Sequence, residues 1–99
     1  VAAGPLMLGS DTPWNCFARK NGVLTQGGTA SRIYQPGEIV HVEIRKTSDG
    51  YTCTFGDNAP ISAGFDFPLT TIDSEYVYAG MFVARSAEVT FWNVNLELQ

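Results

Sequence analysis

Amphipathic helical periodicity, long apolar runs and histidine are all scarce in this 99-residue sequence, and each shortage excludes something. There is a single histidine, His41, and no serine sits in a nucleophile signature, so a nucleophile–base–acid triad has nothing to build on. Two cysteines and one histidine, with no CxxC spacing, are too few for a structural zinc site. No apolar run approaches the ~20 residues of a membrane-spanning helix, and a soluble chain is expected. No glycine loop leads into a helix to cradle a phosphate. The formal net charge of -4 excludes a general nucleic-acid or anionic-membrane binder, because both need a basic surface. No signal peptide is read in the sequence, and Val1 as first residue suggests an excised module or a processed product whose export signal, if any, lay elsewhere.

Apolar residues make up 44% of the chain and charged residues only 16%, which is enough to fold one small core and unlike a helical protein. Gly, Thr, Val and aromatics are abundant, and the apolar positions recur with period two between Gly, Pro, Asn and Asp punctuation. That pattern predicts short antiparallel strands near Pro5–Gly9, Trp14–Arg19, Thr29–Tyr34, Glu38–Lys46, Tyr51–Gly56, Phe65–Leu69, Tyr76–Ala84 and Glu88–Leu98. Turns are expected at Asn21-Gly22, Gly27-Gly28, Pro36-Gly37 and Ser48-Asp49-Gly50. The expected fold is all-β, a two-sheet antiparallel β-sandwich forming a single module over residues 1–99.

The clearest strand is "EIVHVEIRK". Its Val40, Val42 and Ile44 should face the core with Tyr51, Cys53, Phe55, Val89 and Phe91, while His41, Glu43 and Arg45 project from the other face beside Thr52 and Thr54. Cys16 and Cys53 lie in alternating patterns that direct both inward, either as buried free thiols or as one disulfide. Near the end, Val89 and Phe91 share one parity and Trp92, Val94, Leu96 and Leu98 the other, so a β-bulge is expected at Trp92-Asn93. Gly80 is expected to admit a close neighbour within a packed strand.

A polar face bearing His41, Glu43, Arg45 and threonines suits solvent or a polyhydroxylated ligand. Trp92 and Trp14 each read either as core packing or as a stacking platform for sugar rings, with Tyr34 a weaker platform of the same kind. The pairs Arg19-Lys20 and Arg45-Lys46 read either as solvated strand ends or as recognition elements for carboxylated sugars, for which arginine offers a bidentate fork. His41 is an exposed strand residue or a ligand contact. Asp57 in "GDNAP" is a turn residue or a weak calcium ligand, and no other cofactor is expected. Basic residues are biased forward, five Lys or Arg against four acids in residues 1–50 and Arg85 alone against six acids afterwards, so an anionic ligand would approach the first half.

The runs "GEIVHVEIRKTSDGYTCTF" and "YAGMFVARSAEVTFWNVNLEL" together resemble the closing part of concanavalin-type or laminin-G-like sandwich modules. The resemblance covers roughly residues 37–98, with "LMLGS" and "CFARKNG" fitting the preceding strands more loosely. This chain is short for that class, and Trp92 stands where a small polar residue is expected. Similar tails occur as accessory modules of secreted bacterial polysaccharide-degrading enzymes such as pectate lyases. The resemblance therefore implies a secreted carbohydrate-binding module joined covalently to a catalytic domain; with no catalytic motif assembled on the chain, a non-catalytic monomer is expected. Its implied ligand is a plant cell-wall polysaccharide, pectic homogalacturonan ahead of neutral β-glucan or xylan, with a structural or protein-interaction sandwich, or a small hydrolase or lyase, as the other readings.

Overall fold

The computed structural model describes residues 1–5, 13–20, 22–63, 78–83 and 88–97. The chain divides into two compact units, Val1–Phe67 and Pro68–Gln99. Among the described residues no helix occurs, and so none is long and apolar enough to cross a membrane.

The first unit is an all-β, two-sheet antiparallel sandwich. Strands β1 (Ala2–Pro5), β2 (Pro13–Lys20) and β3 (Val23–Ile33) form one sheet in that order. Strands β4 (Val42–Thr47), β5 (Gly50–Phe55) and β6 (Ile61–Ser62) form the other, also in chain order. β1 lies over β4, β2 over β5 and β3 over β6. The two central strands supply most of the core: Trp14, Cys16 and Ala18 from β2 meet Tyr51, Cys53 and Phe55 from β5, all buried. The Trp14 and Phe55 rings pack tilted at 50° with centroids 5.3 Å apart. A disulfide between Cys16 and Cys53 joins the sheets, which resolves the two readings of those cysteines.

Asn15 is fully buried yet satisfied, its Nδ2 donating to the Pro13 carbonyl at 2.8 Å and its Oδ1 accepting from Thr29 Oγ1 at 2.9 Å. Register shifts between Pro13 and Asn15 and between Cys16 and Phe17 bend this ladder around the pair.

The expected Gly27-Gly28 turn is instead the middle of β3, and neither glycine has positive φ. Their purpose is close packing. A Cβ at Gly27 would fall on the Ala63 backbone and one at Gly28 on Ile61 Cγ2, so the glycines let the β6 segment lie directly against β3. The other turn signals hold where they can be seen: Gly22 (φ 78°), Gly37 (φ 77°) and Gly50 (φ 133°) occupy the left-handed side of the map. Glu38 N–H donates to the Gln35 carbonyl at 3.2 Å across the Pro36-Gly37 turn.

Several core expectations are corrected. Val42 (40% exposed) and Ile44 (46%) stand opposite Phe55 and Cys53 and so share their inward face, but β4 is an edge strand whose main neighbour across the sandwich is the short β1, Ala2–Pro5. Small residues leave that margin open. Val40 is half-buried.

In the second unit, residues 78–83 and 88–97 run without strand pairing, so the strands expected over Tyr76–Ala84 and Glu88–Leu98 are not formed as ladders among the described residues. Val89 and Phe91 are exposed rather than core. Space around Gly80 is open, not crowded. No bulge exists at Trp92-Asn93 because there is no ladder to interrupt, yet Asn93 adopts φ 53°, a left-handed kink at the position where the side-chain parity changes. The strand expected at Phe65–Leu69, the greater part of Pro5–Gly9, and Asn21 and Arg85 lie outside the described residues.

Candidate functional site

The outer face of the β4–β5–β6 sheet is a polar surface that the strand register creates. Register places Glu43 opposite Thr54, Arg45 opposite Thr52, and Thr52 opposite Ser62. Partners directly opposite project to the same side, so these five residues share one face. Arg45 and Glu43 form an ion pair along the strand, Nε to Oε1 at 3.2 Å, with both side chains substantially exposed. A second contact from Arg45 Nη2 to Glu43 Oε2 spans 3.4 Å. This face offers guanidinium donors, carboxylate acceptors and hydroxyls that both donate and accept, a set matched to vicinal hydroxyls and ring carboxylates of a polysaccharide.

His41 precedes β4, is exposed, and accepts the Gly56 N–H on its carbonyl at 2.8 Å, which fixes its backbone beside this sheet. Lys46 does not belong to the face. It stands opposite Tyr51 on the inward side, its ammonium 5.2 Å from the Tyr51 ring centroid and donating to the Thr47 carbonyl.

Trp14 is the clearest correction among the candidate residues. With 7% exposure and its ring against Phe55, it is core and has no face free for a sugar. Its indole Nε1 is buried without a hydrogen-bond partner among the described residues. Arg19 is exposed and donates to the Gly22 carbonyl at 3.2 Å, closing the β2–β3 turn. The Lys20 side chain lies outside the described residues. Trp92 is exposed (55%), as are Tyr78, Phe82 and Phe91 of the same unit. No group of three or more His, Cys, Asp or Glu converges on a point among the described residues, and Asp57 is exposed in its turn.

The sequence reading passed over a second polar cluster, built on Arg32. Its guanidinium is held by Glu38, through an Nη2–Oε1 ion pair and an Nε–Oε1 hydrogen bond of 3.1 Å, and its Nη1 donates to Asn58 Oδ1 at 3.3 Å. Glu38 Oε2 also accepts the Gln35 N–H at 3.2 Å. The Arg32 hydrogen bond is the main reason the Glu38 carboxyl is held below its usual range, with the Gln35 N–H and the Arg32 charge adding to it and partial desolvation opposing it. Gly56 makes room, since a Cβ there would lie 2.9 Å from Arg32 Nη1. This cluster ties the segment after β3 to the turn after β5. The signal was present in "RIYQPGE", where opposite charges flank a Pro-Gly turn. Tyr34, 39% exposed, sits in the same segment.

A region of 75 residues, 76% of this chain, is 29% identical to pectate lyase L of Thermoclostridium stercorarium, and the chain spans 6% of that protein's length. No protein-family model matches the chain. No solved structure matches it.

Proposed function

We propose that this chain is a non-catalytic carbohydrate-binding domain of a secreted polysaccharide-degrading enzyme, directed at a plant cell-wall polysaccharide with pectic homogalacturonan first. The observation that carries the proposal is the similarity to a pectate lyase over a region that makes up only a small part of that enzyme. A segment of that size fits an appended domain better than the part that performs the cleavage. The Cys16–Cys53 disulfide supports an oxidising compartment and hence export.

The outer face of β4–β5–β6 is the surface we assign to the ligand, with Arg45, Glu43 and His41 as contacts and Thr52, Thr54 and Ser62 as hydroxyl partners. Arg45 provides the fork for a uronate carboxylate. Glu43 competes for that fork and also accepts from sugar hydroxyls. The net charge of -4 slows encounter with a polyanion, so binding by this route is weak and falls as salt screens the contact.

Exposure of Trp92 favours a second reading, in which a neutral β-glucan or xylan stacks on the indole. Calorimetry on polygalacturonate and on a neutral β-glucan, at low and high salt, separates the two. Polygalacturonate binding that weakens with salt and with Arg45→Ala supports the first. Neutral-glucan binding, indifferent to salt and lost in Trp92→Ala, supports the second. Absence of both, or release of unsaturated products from pectin by the isolated domain, overturns the proposal.

A further inference from the structure

Among the described residues β4 is the open edge of its sheet. No strand lies beyond β4 among the described residues, and its inward side chains Val42 and Ile44 are left part-exposed at that margin. Which backbone groups face outward follows from one hydrogen bond. Gly56 N–H donates to the His41 carbonyl at 2.8 Å, and the register that pairs Val42 with Phe55 puts position 41 opposite position 56. In an antiparallel ladder hydrogen-bonded pairs alternate with non-bonded ones. Residues 41, 43, 45 and 47 therefore turn their backbone groups towards β5, and Val42, Ile44 and Lys46 present theirs to the open edge.

We propose that a second copy of this chain docks on this edge, β4 against β4 in antiparallel fashion, with Ile44 on the two-fold axis. Centring on Ile44 places Ile44 opposite Ile44 of the second copy and Val42 opposite Lys46 of the second copy, so the outward-facing backbone groups meet. It also sets Glu43 opposite Arg45 of the second copy, and the reverse. These are the non-hydrogen-bonded positions, where facing side chains are closest. Each copy already holds Glu43 and Arg45 as a pair, so four charges of alternating sign close a ring across the axis.

Charge selects this register over its neighbours. A shift of the pairing that centres on residue 43 sets Glu43 against Glu43, and one that centres on residue 45 sets Arg45 against Arg45, both repulsive. The result is an isologous interface. Its outer face runs as one surface from Ser62 and Thr52 of one copy to Thr54 of the other. A polymer would meet two binding faces side by side, which raises avidity without a new contact. The inference departs from the monomer expected from the sequence, and it stands whether or not the ligand is a glycan.

The test is sedimentation equilibrium on the disulfide-intact protein from about 10 μM to about 1 mM, the range suited to an interface at the small end of known complexes. The mass is expected to rise from one chain to two. Glu43→Arg and Arg45→Glu alone should each weaken dimerisation roughly tenfold, and the double reversal should restore it. Mild oxidation of Ile44→Cys should yield a covalent dimer, whereas Val42→Cys, facing Lys46 of the second copy, should not. A wild-type protein that stays at single-chain mass at the highest concentration overturns the proposal. So does a dimer unmoved by the single reversals, or one in which Val42→Cys cross-links as readily as Ile44→Cys.

Discussion

Ala63 lies so close to Gly27 that a side-chain carbon at position 27 would overlap the Ala63 carbonyl. The relationship joins the middle of β3 to the residue just after β6, and Ala63 N–H in turn donates to the Tyr51 carbonyl at 2.8 Å. Gly27 falls at a register shift and has no partner on β2, while Ala63 cannot retreat without giving up its bond to Tyr51.

Replacing Gly27 by alanine should therefore cost about 3 kcal/mol, the upper range for forcing extra volume into a packed interior. Gly4→Ala is the control, since nothing lies near a Cβ there, and it should change stability by less than about 0.5 kcal/mol. Urea denaturation of the two variants checks the difference. Equal midpoints would show that β6 does not lie on β3.

Reducing the disulfide, or replacing Cys16 and Cys53 by alanine, should lower stability by about 4 kcal/mol. The estimate comes from closing a loop with 37 residues of sequence separation. Thermal unfolding with and without reductant measures it. An unchanged midpoint would contradict a bridge between the sheets.

Glu38 sets an acid-side dependence. Its folded-state pKa lies below the usual 4.5, chiefly through the Arg32 hydrogen bond, so its contribution is present above that value and disappears as pH falls through the folded-state pKa. Wild type and Glu38→Gln should differ in stability near neutrality and converge in acid. A gap that widens on acidification would reverse the sign and exclude the pairing.

Glu43 and Arg45 compete and cooperate in the proposed ligand site. Glu43→Gln releases the guanidinium from its in-strand partner, and polygalacturonate affinity should rise by up to about fivefold, the scale of an exposed ion pair. Arg45→Ala should lower it. Titration calorimetry at low salt reads both, and a loss of affinity in Glu43→Gln would show that its contacts to sugar hydroxyls outweigh its competition for the fork.

The β4–β5 hairpin was the most legible part of the fold. Alternation marked its faces, Ser48-Asp49-Gly50 marked its turn, and the observed register keeps Tyr51, Cys53 and Phe55 buried as read. Period two tells which side a residue faces but not whether anything covers that side, which is why Val42 and Ile44 read as core and stand part-exposed at an edge. Gly27-Gly28 misled for a related reason. A glycine pair can signal positive φ or a close neighbour, and only the position of β6, two residues long and without a strand signature of its own, distinguishes them. For the candidate site, the shared face of Glu43 and Arg45 followed from parity. The burial of Trp14 and the Arg32–Glu38–Asn58 cluster depend on which segments meet across the sandwich, and no local pattern encodes that.

The two tryptophans differ sharply in solvent contact, Trp14 at 7% exposure and Trp92 at 55%. They are consequently two separate optical reporters. An indole sealed beside Phe55 emits at shorter wavelength than one in water, and soluble quenchers such as iodide reach only the latter. Excitation of the native protein should give a composite band whose red component is removed by iodide, leaving the blue light of Trp14. That residual light follows the integrity of the sandwich interior, on a strand whose Cys16 bridges the sheets, while the quenchable part reports what touches Trp92.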